Sequence, residues 1–503
     1  MPDANPASAP TRLPLLRDFG DWLSPMVVKE LRHGLRTRFF TTALIGFHWL
    51  LILLMASVLI GTEAEMVNGT FWILAFVLLL GVLPLRGFAT LAGESKDGTL
   101  DMLTLTSISS WKITFGKWVA LFSQNFLVGV SLLPYLVARY QFGGVEIVRE
   151  MVALGLLMLV SAIATAMFVG FSSQSSIVLR LFLAAGTLIA AIPAGVMIYL
   201  VGLGDSGDNL MREWLDLNWV EQGMVAGLIF GLAAYAVVFF LAMGASRIAP
   251  PSENHSTIKR LMMLAVVSAL AIIGVATCYL GDPDMAYWAF VPIMFVTVLA
   301  GIDLMTEDTP RFPTVVLPFV KRGRWSQLSG LILYPGWASG LRLYLVLAGL
   351  SMALFAALVQ TDSPEWADEG GIMSCFLLGP IIPLVLPWGR SNRFAAWWWT
   401  QGALVAGGIL LISLCEVSRV RELGFIGVVT PTTAIFSGPA VGFSRAEYAF
   451  AVGAAIGLIW LVAALVKATA EGKAYRVLEW EARQMLNKPR TETTGGDSDD
   501  EPA

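Results

Sequence analysis

Long apolar runs alternate with short polar stretches along most of this sequence. A helix needs about 20 apolar residues to cross the hydrocarbon core of a bilayer. The sequence holds twelve candidate runs, at 40–61, 71–92, 114–137, 151–171, 177–203, 223–245, 261–281, 286–303, 342–360, 371–389, 396–415 and 446–466. The run at 286–303 is short and contains Pro292. The region 423–443 is apolar but broken by glycines and Pro431, so it reads as a re-entrant or interfacial segment. The pattern predicts an all-α polytopic membrane protein, with about twelve transmembrane helices in two six-helix halves.

The polar stretches divide the chain further. Residues 1–39 form an N-terminal segment, 40–246 a first six-helix unit, 247–260 a polar hinge with Pro250-Pro251, 261–466 a second six-helix unit and 467–503 a tail. The end of the tail, rich in Thr, Gly and Asp, lacks the apolar residues to bury a core and is expected to be disordered. Loop charge gives the orientation. Basic loops carry Lys96, Lys112 and Lys117, then Arg247, Lys259 and Arg260, then Arg311, Lys321, Arg322 and Arg324, then Arg390 and Arg393. The loops between them carry acids, such as Asp205, Asp208 and Glu213, or Asp362, Glu365 and Asp368. This alternation through twelve spans places both termini in the cytoplasm. No cleavable signal peptide is expected, because the first apolar run starts only near Phe39.

Composition narrows the function classes. The chain of 503 residues is 56% hydrophobic and only 14% charged, where soluble domains carry roughly 25% charge. Mean hydropathy is +0.71. A net charge of -4 argues against a generally basic nucleic-acid binder. Cys278, Cys375 and Cys415 are widely spaced, and only three histidines are present, so no metal site is indicated.

Two polar stretches stand out. The first is Pro25-Met26-Val27-Val28-Lys29-Glu30-Leu31-Arg32. Ser24 suits the N-cap and Pro25 the first helical position. Val27, Leu31, Leu35 and Phe39 recur at i+4, while Lys29, Arg32 and Arg36 project elsewhere. That pattern fits a helix lying in the headgroup plane; a plain basic flank that sets orientation is the alternative. The second stretch follows span two and runs from Glu94 to Lys117. Asp97 or Thr99 can cap a short helix bearing Leu100 and Leu103, and Ser109 or Ser110 can cap the helix that becomes span three. A partner pushing on this short helix would move both spans.

These two stretches resemble the permease subunits of ATP-binding-cassette (ABC) transporters, in the exporter family of type two. The resemblance rests on Glu94, Gly98, Thr99, Leu100, Asp101 and Leu103, followed by Gly116-Lys117, and upstream on Pro25, Lys29, Glu30, Leu31 and Arg32. Ser24 stands where the family usually has Asn, and Ser107 where many members have Pro. The likeness covers about residues 24–246. It implies a coupling helix at about 97–108 that docks on a separate ABC ATPase subunit, with ATP and Mg bound by that partner and no cofactor bound by this chain. It also implies a bacterial-type cytoplasmic (inner) membrane, with a second permease chain as a further candidate partner. The second half shows no matching motif.

Arg86, late in span two, is a charge in an apolar segment. It either snorkels or pairs with Glu94 near the membrane boundary, or it faces a translocation pathway. No span carries a series of acids, so no proton relay is indicated. Asp303 falls at a span end and calls for no special role. The Gly-Lys pairs at 116–117 and 472–473 lack the rest of a phosphate-binding loop, so the chain is not expected to hydrolyse ATP. Trp397-Trp398-Trp399 reads as an interfacial anchor. The basic loop 304–340 is either a second ATPase contact or an ordinary inner loop. The competing functions are a twelve-helix secondary transporter and a membrane scaffold of a secretion or motility machine.

Overall fold

The computed structural model describes residues 25–92, 109–142, 146–174, 176–203, 212, 214–280, 286–361, 369–386, 392–438 and 443–487. Every regular element among them is helical. Eleven of the helices are long and apolar enough to cross a membrane. The protein is therefore an all-α, multi-pass membrane protein. The chain folds into two compact units, the first ending at Ile248 and the second beginning at Ala249. That division falls inside the stretch expected as a hinge.

In the first unit, α1 (Pro25–Leu35) precedes α2 (Arg38–Leu59) and α3 (Ala64–Phe76). Thr37 caps α2, its side chain accepting from the Phe40 N–H. Next come α4 (Ser110–Ser131), α5 (Leu133–Phe142), α6 (Ile147–Phe171), α7 (Ile177–Leu203) and α8 (Trp219–Ile248). Leu51, Phe71, Trp72, Leu79, Leu83, Val128 and Leu157 form the buried centre. The packing of α6 on α8 uses glycine, as closely approaching membrane helices do. A Cβ built on Gly244 would lie 2.9 Å from the Gly170 Cα.

Span two is not one regular helix. After α3 the backbone widens to a π turn at Val77–Val82 and then tightens to a 3-10 segment at Pro84–Ala89. Pro84 has no N–H to continue an α-helical ladder. The Leu83 N–H bonds the Leu78 carbonyl at 3.0 Å, so it no longer serves Leu79. The Ser161 hydroxyl takes over the Leu79 carbonyl at 2.7 Å.

In the second unit, α9 (Ser256–Leu280), α10 (Tyr287–Thr306), α11 (Leu317–Lys321), α12 (Arg324–Leu333) and α13 (Trp337–Thr361) precede a broken span. That span is α14 (Gly370–Leu378), a 3-10 turn at Gly379–Ile381 and α15 (Ile382–Val385), where hydropathy predicts a continuous run over 371–389. Pro383 cannot donate to the Gly379 carbonyl, which instead accepts from the Ile382 N–H in the 3-10 turn and from the Gln401 amide at 2.7 Å. Trp397 Nε1 donates to the Pro380 carbonyl at 3.0 Å, and the Tyr344 hydroxyl to that of Leu377 at 2.6 Å. Lys467 Nζ reaches the Leu384 carbonyl at 2.7 Å. Non-helical backbone at membrane depth is tolerated when protein groups satisfy it in this way.

The unit closes with α16 (Arg393–Ser418), a 3-10 segment at Arg421–Val429, α17 (Pro431–Ser437) and α18 (Phe443–Asn487). The stretch expected as re-entrant or interfacial thus contains two short helical pieces, neither long enough to span. The helix of span twelve continues past the apolar run that ends at 466 to Asn487, because Ala, Glu, Lys and Arg favour helix without being apolar. One expectation is corrected here. Trp397 is a core residue with only 6% of its surface exposed, whereas Trp399 is exposed.

Candidate functional site

The two motif stretches meet in the first unit. α1 packs along α4, with Val27 and Gly34 buried. Glu30, from the upstream motif, pairs with Lys117, from the downstream Gly-Lys, at 3.8 Å. Lys117 is almost fully buried and Glu30 about one quarter exposed. Lys29 and Arg32 are exposed and Leu31 is half-buried. Leu35 and Phe39 also present apolar surface outward. So α1 turns one edge to α4 and leaves a mixed basic and apolar face outward.

About two turns of α4 further on, Arg86 closes the same end of the bundle. Its guanidinium donates to the Gln124 side-chain oxygen, to Thr37 Oγ1 at 3.2 Å and to the Gly34 carbonyl at 3.5 Å. It lies over the Phe39 and Phe40 rings at 5.6 and 5.9 Å, within cation–π range. Arg86 therefore ties the 3-10 part of span two to α1, α2 and α4. Its described partners are neutral.

Midway along α4, Asn125 donates to Ser161 Oγ at 3.1 Å and to Thr165 Oγ1 at 2.9 Å. Ser161 in turn holds the Leu79 carbonyl, as described above. Asn125, Ser161 and Thr165 are all buried. This chain of bonds links the π turn of span two to α4 and α6.

At the far end of the bundle, Arg139 of α5 meets Glu150 of α6. Two bonds join them, at 2.7 and 3.0 Å. Arg139 Nε also donates to Asn68 Oδ1 at 3.0 Å, and Trp72 Nε1 to Glu150 at 3.4 Å. The Phe71 ring sits 4.3 Å from the guanidinium. Hydropathy alone misses this pair, because it draws span three to 137 and span four from 151 and leaves both charges in the loop. The usable signal is one Arg and one Glu flanking a short connection between two apolar runs.

The expected coupling residues Glu94, Gly98, Thr99, Leu100, Asp101 and Leu103 lie outside the described residues, as does the whole stretch 93–108. That stretch leads directly into Ser109, the N-cap of α4.

The second unit has a separate ion cluster, which gives Asp303 a role the sequence does not suggest. Lys259 Nζ lies 2.6 Å from Asp303 and 3.8 Å from Glu307. The Arg260 guanidinium bonds Glu307 and also the Ile332 and Gly336 carbonyls at 2.9 and 2.8 Å. Burial alone would raise the Glu307 pKa, but Arg260 and Lys259 hold its carboxyl down at about 2. Gly336, at φ +112°, sets the turn that brings its N–H to Glu307 at 3.0 Å. The cluster ties the start of α9 to the end of α10 and the start of α13. Among the described residues, no group of three His, Cys, Asp or Glu is placed to hold a metal ion.

The chain matches no protein-family model, no curated protein and no solved structure.

Proposed function

We propose that this chain is the membrane-spanning permease subunit of an ATP-driven ABC exporter. A separate ATPase subunit binds ATP and Mg, and its closure pushes on residues 97–108. The observation that carries the reading is the Glu30–Lys117 pair. It joins the two stretches on which the family resemblance rests, 87 residues apart in sequence. The Arg86 cluster beside it and the Asn125 chain beyond it give α4 polar ties to spans one, two and four. A displacement at the start of α4 is thereby shared among four spans. The chain supplies the pathway and no bond chemistry.

In this reading the end of the bundle bearing α1 faces the cytoplasm, both termini are cytoplasmic and the membrane is a bacterial-type inner membrane. The basic loops support that orientation. A second permease chain is a further partner in the same reading.

The Arg139–Glu150 pair supports a second reading, a gradient-driven twelve-helix transporter, because buried ionisable pairs in spans often belong to ion pathways. Flux into inverted vesicles separates the two. The exporter requires ATP and the ATPase subunit, and stops when either is omitted. Flux driven by an ion gradient without ATP would establish the second reading instead.

A further inference from the structure

A cavity of about 680 Å³ opens in the second unit between α12, the first turns of α13 and the distal part of α18. Four arginines line it: Arg324, Arg342, Arg476 and Arg483. The one carboxylate in its wall, Glu479, already accepts a hydrogen bond from the Tyr334 hydroxyl at 2.8 Å. The cavity thus carries a clear excess of positive charge. Arg342 and Arg483 each spend one donor on the protein, on the Leu331 carbonyl at 3.3 Å and on Gln327 at 2.9 Å. The guanidinium forks have further donors left, and their geometry suits phosphate oxygens.

Its position narrows the ligand. α13 and α18 are both among the spanning helices. Arg342 lies within two turns of the start of α13, and the α18 part of the lining begins at Thr469, just past the apolar run that ends at 466. The cavity therefore sits where hydrocarbon gives way to headgroups. α12 presents Trp325, Leu328 and Leu331, 86%, 57% and 50% exposed, at i, i+3 and i+6. Leu328 and Leu331 belong to the cavity wall. An apolar face continuous with a cationic cavity fits an amphiphile with an anionic head and does not fit a simple soluble anion.

We propose that this cavity binds the phosphate-bearing headgroup of an anionic phospholipid, with the acyl chains lying along Leu328 and Leu331. Lipid recognition by basic pockets between transmembrane helices follows from the charge of the headgroup. The proposal stands independently of the exporter reading.

The test is native mass spectrometry of the purified full-length chain, titrated with phosphatidylglycerol, phosphatidylcholine or inorganic phosphate. Arg324 and Arg476 are the residues to change, since neither side chain bonds another described residue. The wild type should prefer phosphatidylglycerol over phosphatidylcholine. Arg324→Gln/Arg476→Gln should weaken phosphatidylglycerol binding by about thirtyfold, taking about 1 kcal/mol per charge. Arg324→Lys/Arg476→Lys should keep most of it, and both variants should melt as the wild type does. Equal binding of the two lipids, or an undiminished preference in the Gln variant, would overturn the proposal. Displacement of phosphatidylglycerol by inorganic phosphate at equal concentration would assign the cavity to a soluble phosphate and overturn the lipid assignment.

Discussion

Arg139 and Glu150 face each other across the connection between α5 and α6, joined by two hydrogen bonds, with each side chain only 1% exposed. Removing one member leaves the other charge buried and uncompensated, which costs about 3–5 kcal/mol. Arg139→Met should therefore lower the thermal midpoint of the detergent-solubilised protein sharply. Arg139→Met/Glu150→Leu should recover much of that loss, because an apolar pair can replace an ion pair at little net cost. Additive losses in the double variant would show that the pair is not an energetic unit.

Glu307 in the second unit gives a pH dependence with a definite sign. Its folded pKa of about 2 lies below the ordinary carboxylate value of about 4.3. Its contribution is complete above that ordinary value and is lost as pH falls toward about 2. Denaturant unfolding at a series of pH values should show stability declining through this window. Glu307→Gln should remove that part of the slope. An unchanged slope in the variant would assign the acid sensitivity to other groups.

Two glycines of α8 should behave oppositely. A Cβ on Gly244 meets the Gly170 backbone, whereas one on Gly227 meets nothing within 4 Å. Gly244→Ala should destabilise by about 1–3 kcal/mol through overpacking. Gly227→Ala should be neutral or stabilise by up to about 1 kcal/mol from helix propensity. Thermal melting of the two variants in the same detergent checks the contrast.

Gln401 bridges two groups, donating to the Gly379 carbonyl at 2.7 Å and accepting from the Thr432 hydroxyl at 3.1 Å. Gln401→Leu should cost about 1–3 kcal/mol, the penalty for leaving the buried Thr432 hydroxyl without its acceptor. Removing that hydroxyl as well, with Thr432→Val in the same chain, should reduce that penalty. The comparison is a double-variant cycle read by thermal melting.

The spanning segments are legible in the sequence because hydropathy over about 20 residues reports burial in lipid directly. Their interruptions are less legible. Pro84, Pro380 and Pro383 announce missing donors, but only the fold shows that Ser161 takes the Leu79 carbonyl and that the Ile382 N–H and Gln401 share that of Gly379. The charges of Arg139 and Glu150 look like loop residues when a span is equated with an uncharged run; the structure neutralises them against each other inside the bundle. Asp303 escapes notice for a related reason. Its partner Lys259 lies 44 residues earlier in sequence, and nothing local predicts that they meet. The Glu30–Lys117 pair is of the same long-range kind, although the motifs single out both residues.

The most direct test of the exporter reading is association between this chain and an ABC ATPase co-expressed with it. Tagged full-length chain is purified in detergent, and the bound ATPase is measured for the wild type and for a variant with residues 97–108 replaced by a Gly/Ser linker. Unchanged melting of the variant shows that its bundle is intact. The account predicts stoichiometric ATPase on the wild type and at least about tenfold less on the folded variant. Undiminished association after the replacement would contradict it.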